Sequence, residues 1–300
     1  MEKPKLYVLA GPTASGKSGA ALAVAQRLPV EIVSADSMQV YRGMDIGTAK
    51  ATARERAHVP HHMLDVCDLW QEYTVSQYRE AALRAMEGIY ARGKTPLLVG
   101  GTGLYINAIL DGLNFAGEAG RPDVRRKWET YLASHGAQAT HDKLSAIDPV
   151  TAVRLHPNNT RRVIRALEVY ELTGMPISQR AKTNAAAFDV RYAALRMDRE
   201  KLNDRINRRV AGMMHEGLVA EARRVYDSGG NTARQAIGYK QLFPFFEGSA
   251  SLKEAEDAIA LATRQYAKRQ MTWFVRDERI HWFEAESSAL EQDLIRFYQS

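Results

Sequence analysis

Gly11, Pro12, Thr13, Ala14, Ser15, Gly16, Lys17 and Ser18 match the pattern G-x-x-x-x-G-K-S/T in full, which is the signature of a loop that cradles phosphate. The glycines let the backbone curl until successive N–H groups point into one concavity. A helix that follows presents its positive end to the same spot. Lys17 supplies a mobile positive charge for terminal phosphate oxygens, and the Ser18 hydroxyl is suited to ligating Mg²⁺. Such a loop names a phosphate, not a reaction. An ATPase or GTPase usually adds an acid at the end of an apolar strand, but Pro96-Leu97-Leu98-Val99 runs into Gly100-Gly101-Thr102-Gly103. Glu31 to Ala35 runs into Asp36-Ser37-Met38-Gln39, which puts a short carboxylate where the loops of a parallel sheet meet their ligand. A nucleophile other than water fits this set of residues.

A scaffold that holds these groups together is legible in the alternation of short apolar runs and helical patterns. Leu6 to Ala10, Glu31 to Ala35 and Pro96 to Val99 read as buried strands, with helices over Ser18 to Leu28 and Ser76 to Arg92 between them. Strand, helix, strand predicts an α/β fold, a P-loop NTPase-like parallel sheet flanked by helices. After Gly112 the strand signal disappears, and the stretch from Arg121 to Glu171 carries 9 Lys+Arg against 6 Asp+Glu. Residues 113–188 therefore read as an all-helical insertion domain, with helices near Val124 to Ser134 and Thr160 to Leu172, and residues 1–112 plus 189–300 read as the catalytic core. A strand over Tyr192 to Met197 returns the chain to the sheet. Long helices follow at about Arg199 to Ser228 and Leu252 to Arg276, and Ala185 to Ala187 mark a linker.

Bulk composition narrows the class. Three hundred residues at 45% hydrophobic content bury a substantial core, which excludes a disordered chain. An excess of 41 Lys+Arg over 35 Asp+Glu suits a polyanionic partner. Cys67 is the single cysteine, so neither a disulfide framework nor a cysteine-based zinc cluster exists. Met1 to Lys5 lead straight into the first strand with no room for a signal-peptide core, and no run approaches the ~18 apolar residues of a membrane span. The expectation is a soluble, cytoplasmic protein with no membrane contact.

Together these segments resemble the tRNA dimethylallyltransferase (tRNA isopentenyltransferase) family. Besides the phosphate loop, the matching runs are Asp36 to Gln39 continuing through Tyr41, Asp45 and Gly47 to Lys50, His61-His62, Gly100 to Tyr105, Arg161 to Glu168, Ala236 to Lys240 and Arg264 to Gln270. They span nearly the whole chain in order. The resemblance implies transfer of a dimethylallyl group from dimethylallyl diphosphate to N6 of the adenosine just 3′ of a tRNA anticodon. Diphosphate would leave, with Mg²⁺ as cofactor, and the chain would act as a monomer.

Roles follow from the same resemblance. The N6 lone pair is delocalised into the ring, so a carboxylate that takes the proton as the bond forms would help. Asp36 is the candidate, with ordering of Mg²⁺ or capping of the next turn as its alternatives. Residues 11 to 18 would stabilise the departing anion, with Thr13 on the diphosphate and Thr102 on the substrate, against the alternative that each is a turn hydroxyl. Arg205 and Arg209 lie four apart on a helix whose Leu202, Ile206, Val210 and Met213 form the apolar stripe. One arginine of this helix would reach the diphosphate, Arg209 before Arg205, against the alternative of plain surface charge. Expected tRNA contacts are Asp36, Ser37, Met38, Gln39, Thr102, Arg125, Thr160, Arg161, Arg162, Val163, Ile164, Gln235, Gly238, Tyr239, Lys240, Arg264, Lys268 and Arg269. In the last long helix Tyr266 is read as facing the core with Ile259, Ala262 and Trp273, which turns Arg264 and Lys268 to solvent. His61 and His62 lack metal-ligand spacing and are assigned packing or loop hydrogen bonds. The rivals are a P-loop small-molecule kinase, an RNA-binding NTPase and a prenyltransferase acting on free nucleotides. The arginine-rich insertion speaks against the first and last of these.

Overall fold

The computed structural model describes residues 3–112, 121–179 and 187–300. The chain divides into two compact units, one made of residues 1–110 and 186–300, the other of residues 111–185. Two residues of the linker expected at Ala185 to Ala187 lie outside the described residues.

The larger unit is built on six parallel strands, β1 (Lys5–Ala10), β2 (Val30–Ala35), β3 (His61–His62), β4 (Thr95–Gly100), β5 (Asp189–Arg196) and β6 (His281–Glu284), in the order β3-β2-β4-β1-β5-β6. β1, β2 and β4 are buried nearly end to end because both faces of a parallel sheet are covered, so they read as unbroken apolar runs. On one face Leu6, Val8, Val33, Leu98 and Tyr192 meet α3 (Val75–Ala91), α4 (Gly103–Leu110), α8 (Arg199–His215), α9 (Leu218–Asp227) and α11 (Leu252–Phe274). On the other, Leu9, Ile32, Leu97, Val99 and Leu195 meet α1 (Lys17–Ala25) and α12 (Leu290–Gln299). Tyr298 of α12 stacks on Tyr7 at 4.7 Å and donates its hydroxyl to Val8 O at 2.9 Å.

Among the described residues, seven strands and α-helices were not legible in the sequence: β3, β6, α2 (Ala53–His58), α4, α6 (Pro149–Arg154), α10 (Phe243–Phe246) and α12. The two strands are four residues or shorter and lie at the sheet edges, so each has too little alternation to detect. The single helix expected over Arg199 to Ser228 is two, because Gly217 takes φ 105° and opens α9. That left-handed conformation is the kind glycine adopts without a side-chain clash. Among the described residues no helix is long and apolar enough to cross a membrane.

The smaller unit holds α5 (Pro122–Ile147), α6 (Pro149–Arg154) and α7 (Thr160–Thr173), with no strand among its described residues. Its own core is Leu144, Ala152, Val163, Ala166 and Leu167, with Trp128 packed against them. α5 is broken at Gly136, whose φ of 82° and ψ of 173° are not helical, so its first segment ends close to the expected Ser134 and a second segment, not anticipated, runs on to Ile147. Asp148 joins α5 to α6 and accepts the N–H groups of Thr151 and Ser178, both at 3.0 Å. Burial pushes its carboxyl up, but those bonds outweigh it and hold the pKa at about 2.

Candidate active site

Every expected phosphate and catalytic group of the larger unit lies at the carboxyl ends of β1, β2 and β4, or on α8 and α11 beside them. The loop from Gly11 to Ser18 joins β1 to α1. Gly16 caps α1 at φ 92°, and Ala14 also holds a positive φ, of 63°. The loop is thus curled toward the start of the helix, where unpaired N–H groups and the helix dipole favour an anion. Ser15 is buried, and its Oγ has no hydrogen-bond partner among the described residues.

Lys17 arches back over this loop and donates to Pro12 O at 2.9 Å. Burial and the nearby Arg209 push its pKa down to about 8, against the opposing charge of Asp36. Arg209 is the second cation of the cleft. Burial lowers its pKa too, partly offset by Asp36, and no ion pair to it is seen among the described residues. Two crowded cations beside a curled N–H loop are an arrangement awaiting an anion. Arg205 sits farther out, near Glu286 at 3.7 Å, with Nη1 3.6 Å from where a Cβ on Gly16 would stand. Of the two arginines expected at the diphosphate, the structure places Arg209 in the cleft and Arg205 along the outer wall of the loop.

Asp36 follows β2 and is oriented by its own turn: Oδ1 accepts the N–H of Met38 at 2.9 Å and of Gln39 at 3.4 Å. Thr102 follows β4. Its N–H donates to Ala35 O at 3.1 Å, and its Oγ1 accepts the Ser37 N–H at 3.1 Å. The end of β2 and the end of β4 are therefore stitched together.

A third stitch comes from Gln270 of α11, to which the sequence assigned no role although the residue stands in one of the matching runs. Its Oε1 accepts the Thr13 N–H at 2.9 Å, and its Nε2 donates to Gly101 O at 2.8 Å. A Cβ on Gly101 would stand 2.1 Å from that Nε2, so only glycine admits the amide. The Tyr266 hydroxyl meets Thr102 and Gln270, and burial with the Asp36 charge pushes it up to about 12.

Two cavities meet at Thr13, Asp36, Thr48, Arg209 and Tyr266. One lies against the phosphate loop, where Lys17 and Ser18 face the apolar Leu22, Ile32 and Val99. The other opens past Ser37, Met38, Gln235, Gly238, Lys240 and Arg269. His61 lines the first cavity, with its ring Nδ1 2.7 Å from Val59 O, while His62 reaches Glu31 at 2.7 Å. Of the packing or loop hydrogen bonds expected of them, His61 makes a loop bond and adds a wall of the cleft, while His62 pairs instead with a carboxylate of β2.

Several expected positions need revision. Tyr266 does not face the core; the buried positions of α11 are Ala255, Ile259, Ala267, Gln270 and Phe274, so the helix is rotated from the assumed stripe. Trp273 is 40% exposed. Arg264 is not on an open face but donates to Asn207 of α8 at 2.7 Å. Lys268 and Arg269 are exposed, and Arg269 lies over the Tyr266 ring at 5.7 Å.

Tyr239 is fully buried and donates to Glu221 Oε1 at 2.7 Å. Glu221 in turn accepts the N–H groups of Asp45, Ile46 and Gly47 at 2.9 to 3.0 Å. Tyr239 and Glu221 therefore hold up the loop that lines the cavities through Gly47 and Thr48, and the tyrosine side chain cannot touch a partner. Within the smaller unit Arg161 and Arg162 are exposed at the start of α7 beside Thr160. Val163 and Ile164 are buried, which leaves their side chains out of any contact surface. Arg125 is held by Glu129 at 2.8 Å.

Residues 39–277 match the family model described as IPP transferase, and residues 4–72 match that described as Isopentenyl transferase. The chain is 43% identical to the tRNA dimethylallyltransferase of Halalkalibacterium halodurans, over 99% of this chain and 96% of that protein. It is 45% identical to the tRNA dimethylallyltransferase of Carboxydothermus hydrogenoformans, over 96% and 94%. The crystal structure of the tRNA isopentenylpyrophosphate transferase of Bacillus halodurans superposes with a TM-score of 0.73 at 43% identity, covering 99% of this chain and 95% of that one. A eukaryotic dimethylallyltransferase captured acting on tRNA gives 0.82 at 30% identity, over 94% of this chain and 74% of that one.

Proposed function

The chain belongs to the IPP transferase family, and from that premise we propose that it transfers a dimethylallyl group from dimethylallyl diphosphate to N6 of the adenosine 3′ to a tRNA anticodon. The observation that carries this reading is the junction of two unlike cavities at Asp36. One ends in an anion cradle with apolar walls, the other in a basic opening. A small-molecule kinase would also need an acceptor opening, but not one lined by the cations Lys240 and Arg269.

The adenine enters through the opening past Arg269 and Lys240, extruded from its stack so that N6 reaches Asp36. Dimethylallyl diphosphate lies with its phosphates on the loop amides, Lys17 and Arg209. As N6 attacks the allylic carbon, the C–O bond breaks and its electron pair leaves with the diphosphate. The N6 proton passes to the Asp36 carboxylate. Positive charge grows on the carbon while negative charge grows on the bridging oxygen. The cradle's fixed N–H dipoles and two crowded cations thus stabilise the transition state more than the ground state. Thr102, fixed by Ser37 and next to Tyr266, is placed to hydrogen-bond the adenine edge.

The residues fit Mg²⁺ carried in on the substrate and not caged by protein. Among the described residues no cluster of three or more His, Cys, Asp or Glu is found. The Ser18 hydroxyl at the cradle is a hard oxygen donor of the kind that ion accepts while keeping its other sites on phosphate and water. When bound there, Mg²⁺ would neutralise charge on the leaving diphosphate. On this reading the protein acts as a monomer, in the cytoplasm where a tRNA acceptor would be found. The exposed Arg161 and Arg162 of the insertion face the RNA backbone.

The test is to incubate the protein with dimethylallyl diphosphate and an anticodon stem-loop, and separately with ATP, and to analyse the products by mass spectrometry. A stem-loop heavier by one dimethylallyl unit is the expected product. Phosphoryl transfer from ATP without prenyl transfer would overturn the reading.

A further inference from the structure

We propose that the exposed face of Trp273 is a stacking platform for an unpaired RNA base that flanks the extruded adenine. The proposal rests on the tRNA reading above and adds a contact residue to it. Trp273 is 40% exposed near the C-terminal end of α11. Its indole is not loosely attached. A Cβ on Gly103 would stand 2.2 Å from both Cδ1 and Nε1, so the ring lies flat on the glycine backbone with one face pinned. Gly103 directly follows Thr102, whose hydroxyl accepts the N–H of Ser37, a residue that lines the second cavity.

The surroundings point to RNA as the occupant. Arg269 lies one helical turn before Trp273, hence beside it on the same face, and lines the acceptor opening while covering the Tyr266 ring. Arg276, three residues after Trp273 and just past the end of α11, is exposed. Leu104, 43% exposed, follows Gly103 and adds apolar surface there. A rigid aromatic face with guanidinium groups near it is how proteins hold single-stranded bases, the ring taking the base and the cations taking the phosphates. An adenine pulled from its stack leaves the neighbouring base with one uncovered face, and the indole supplies a substitute.

The experiment compares Trp273→Phe with Trp273→Leu by direct titration of an anticodon stem-loop carrying a fluorescent base analogue next to the target adenosine. Both replacements keep an apolar cover over Gly103, but only phenylalanine keeps a π face. Trp273→Leu is expected to raise the stem-loop Kd about tenfold and to lose most of the analogue's quenching, with Trp273→Phe within about threefold of wild type. The melting temperature and the KM for dimethylallyl diphosphate should stay the same in both. A Trp273→Leu variant with wild-type stem-loop affinity would overturn the proposal and leave the indole as a cover for the glycine. A wild-type protein that neither binds nor prenylates the stem-loop would overturn the tRNA reading and this proposal with it.

Discussion

Replacing Gln270 with alanine removes both hydrogen bonds by which α11 ties the phosphate loop to the end of β4. The Thr13 N–H and the Gly101 carbonyl lose partners at 2.9 and 2.8 Å in a buried setting. Two net hydrogen bonds at about 1 kcal/mol each, plus the desolvation of stranded backbone groups, make a destabilisation of about 3 kcal/mol. The kinetic cost should be larger than that of an equally destabilising change elsewhere. The stitch sets the distance between the cradle and Thr102, and a misplacement of about 1 Å costs on the order of a hundredfold in rate. Gly101→Ala supplies the control, because its Cβ would stand 2.1 Å from Gln270 Nε2 but 3.3 Å from the next obstacle, Gly11 O. Alone it should cost about 1–3 kcal/mol through overpacking. In the double variant the methyl group gains room, so the pair should be less unstable than the two single effects added, by at least about 1 kcal/mol. Urea unfolding of the four proteins gives the cycle, and steady-state prenyl transfer gives the rates. Strict additivity, or a Gln270→Ala variant with wild-type kcat, would refute the assignment of Gln270 as the link between the two loops.

Asp36→Asn keeps an oxygen to accept the Met38 N–H, so the turn and the binding of tRNA should survive while kcat falls by about 10²–10⁴; normal turnover at saturating tRNA would show that Asp36 is not the base. Lys17, with its pKa near 8, predicts a pH dependence of diphosphate binding measured by calorimetry. Below about pH 8 the ammonium is already charged; above it, binding must take up a proton, so Kd should rise about tenfold per pH unit until the pKa of the complex is reached. Lys17→Arg should flatten that limb, since a guanidinium stays charged throughout. Glu31, held at about 2 first by Arg92, then by His62 and Lys94 against the cost of burial, stabilises the sheet edge above its unfolded pKa and loses that contribution as pH falls from about 4.5 toward 2. Glu31→Gln should therefore cost at most about 3 kcal/mol at neutral pH and remove that part of the acid-unfolding profile, and an unchanged profile would place the acid sensitivity elsewhere.

The difference between what the sequence disclosed and what it hid follows from locality. The phosphate loop, Asp36 and Thr102 are each announced by the residues next to them, a strand before and a turn or helix after, so their placement at strand ends was legible. Gln270 and Tyr266 act on residues more than 160 positions away, and nothing in their own neighbourhood says which face of α11 meets the site. Reading Tyr266 as core was an error of phase: Gln270, a polar residue, occupies a buried position because two backbone groups satisfy its amide, and a hydrophobicity pattern cannot anticipate that. Tyr239 misled in the opposite sense. It stands in a recognisable run beside Gly238 and Lys240, which do line the second cavity, yet its own ring is a pillar beneath Gly47. A Cβ on that glycine would come within 2.6 Å of the ring. Neighbours in a motif need not share a role when one faces the cavity and the next supports its wall.

The glycines after β4 tie this to the chemistry. An acid at that strand end would serve water activation and a metal-bound phosphoryl group, as in nucleotide hydrolases. Here Gly100 has no space for a side chain, since a Cβ would stand 2.2 Å from Ala35 O, and Gly101 and Gly103 lie against Gln270 and Trp273. With no side chain to hold it off, α11 approaches close enough for Tyr266 and Gln270 to form the inner wall and for Trp273 to form part of the outer rim. On the function proposed above, the cradle that elsewhere grips a phosphoryl group in transit would here grip a leaving group. The space that an acid would have filled is taken by the Ala35 carbonyl and the Gln270 amide. A carboxylate introduced by Gly101→Asp should therefore displace Gln270 from its bonds to Thr13 and Gly101 and abolish prenyl transfer without creating a nucleotide hydrolase. ATP hydrolysis by that variant would show that the missing acid, and not the close approach of α11, is what separates this site from a hydrolase.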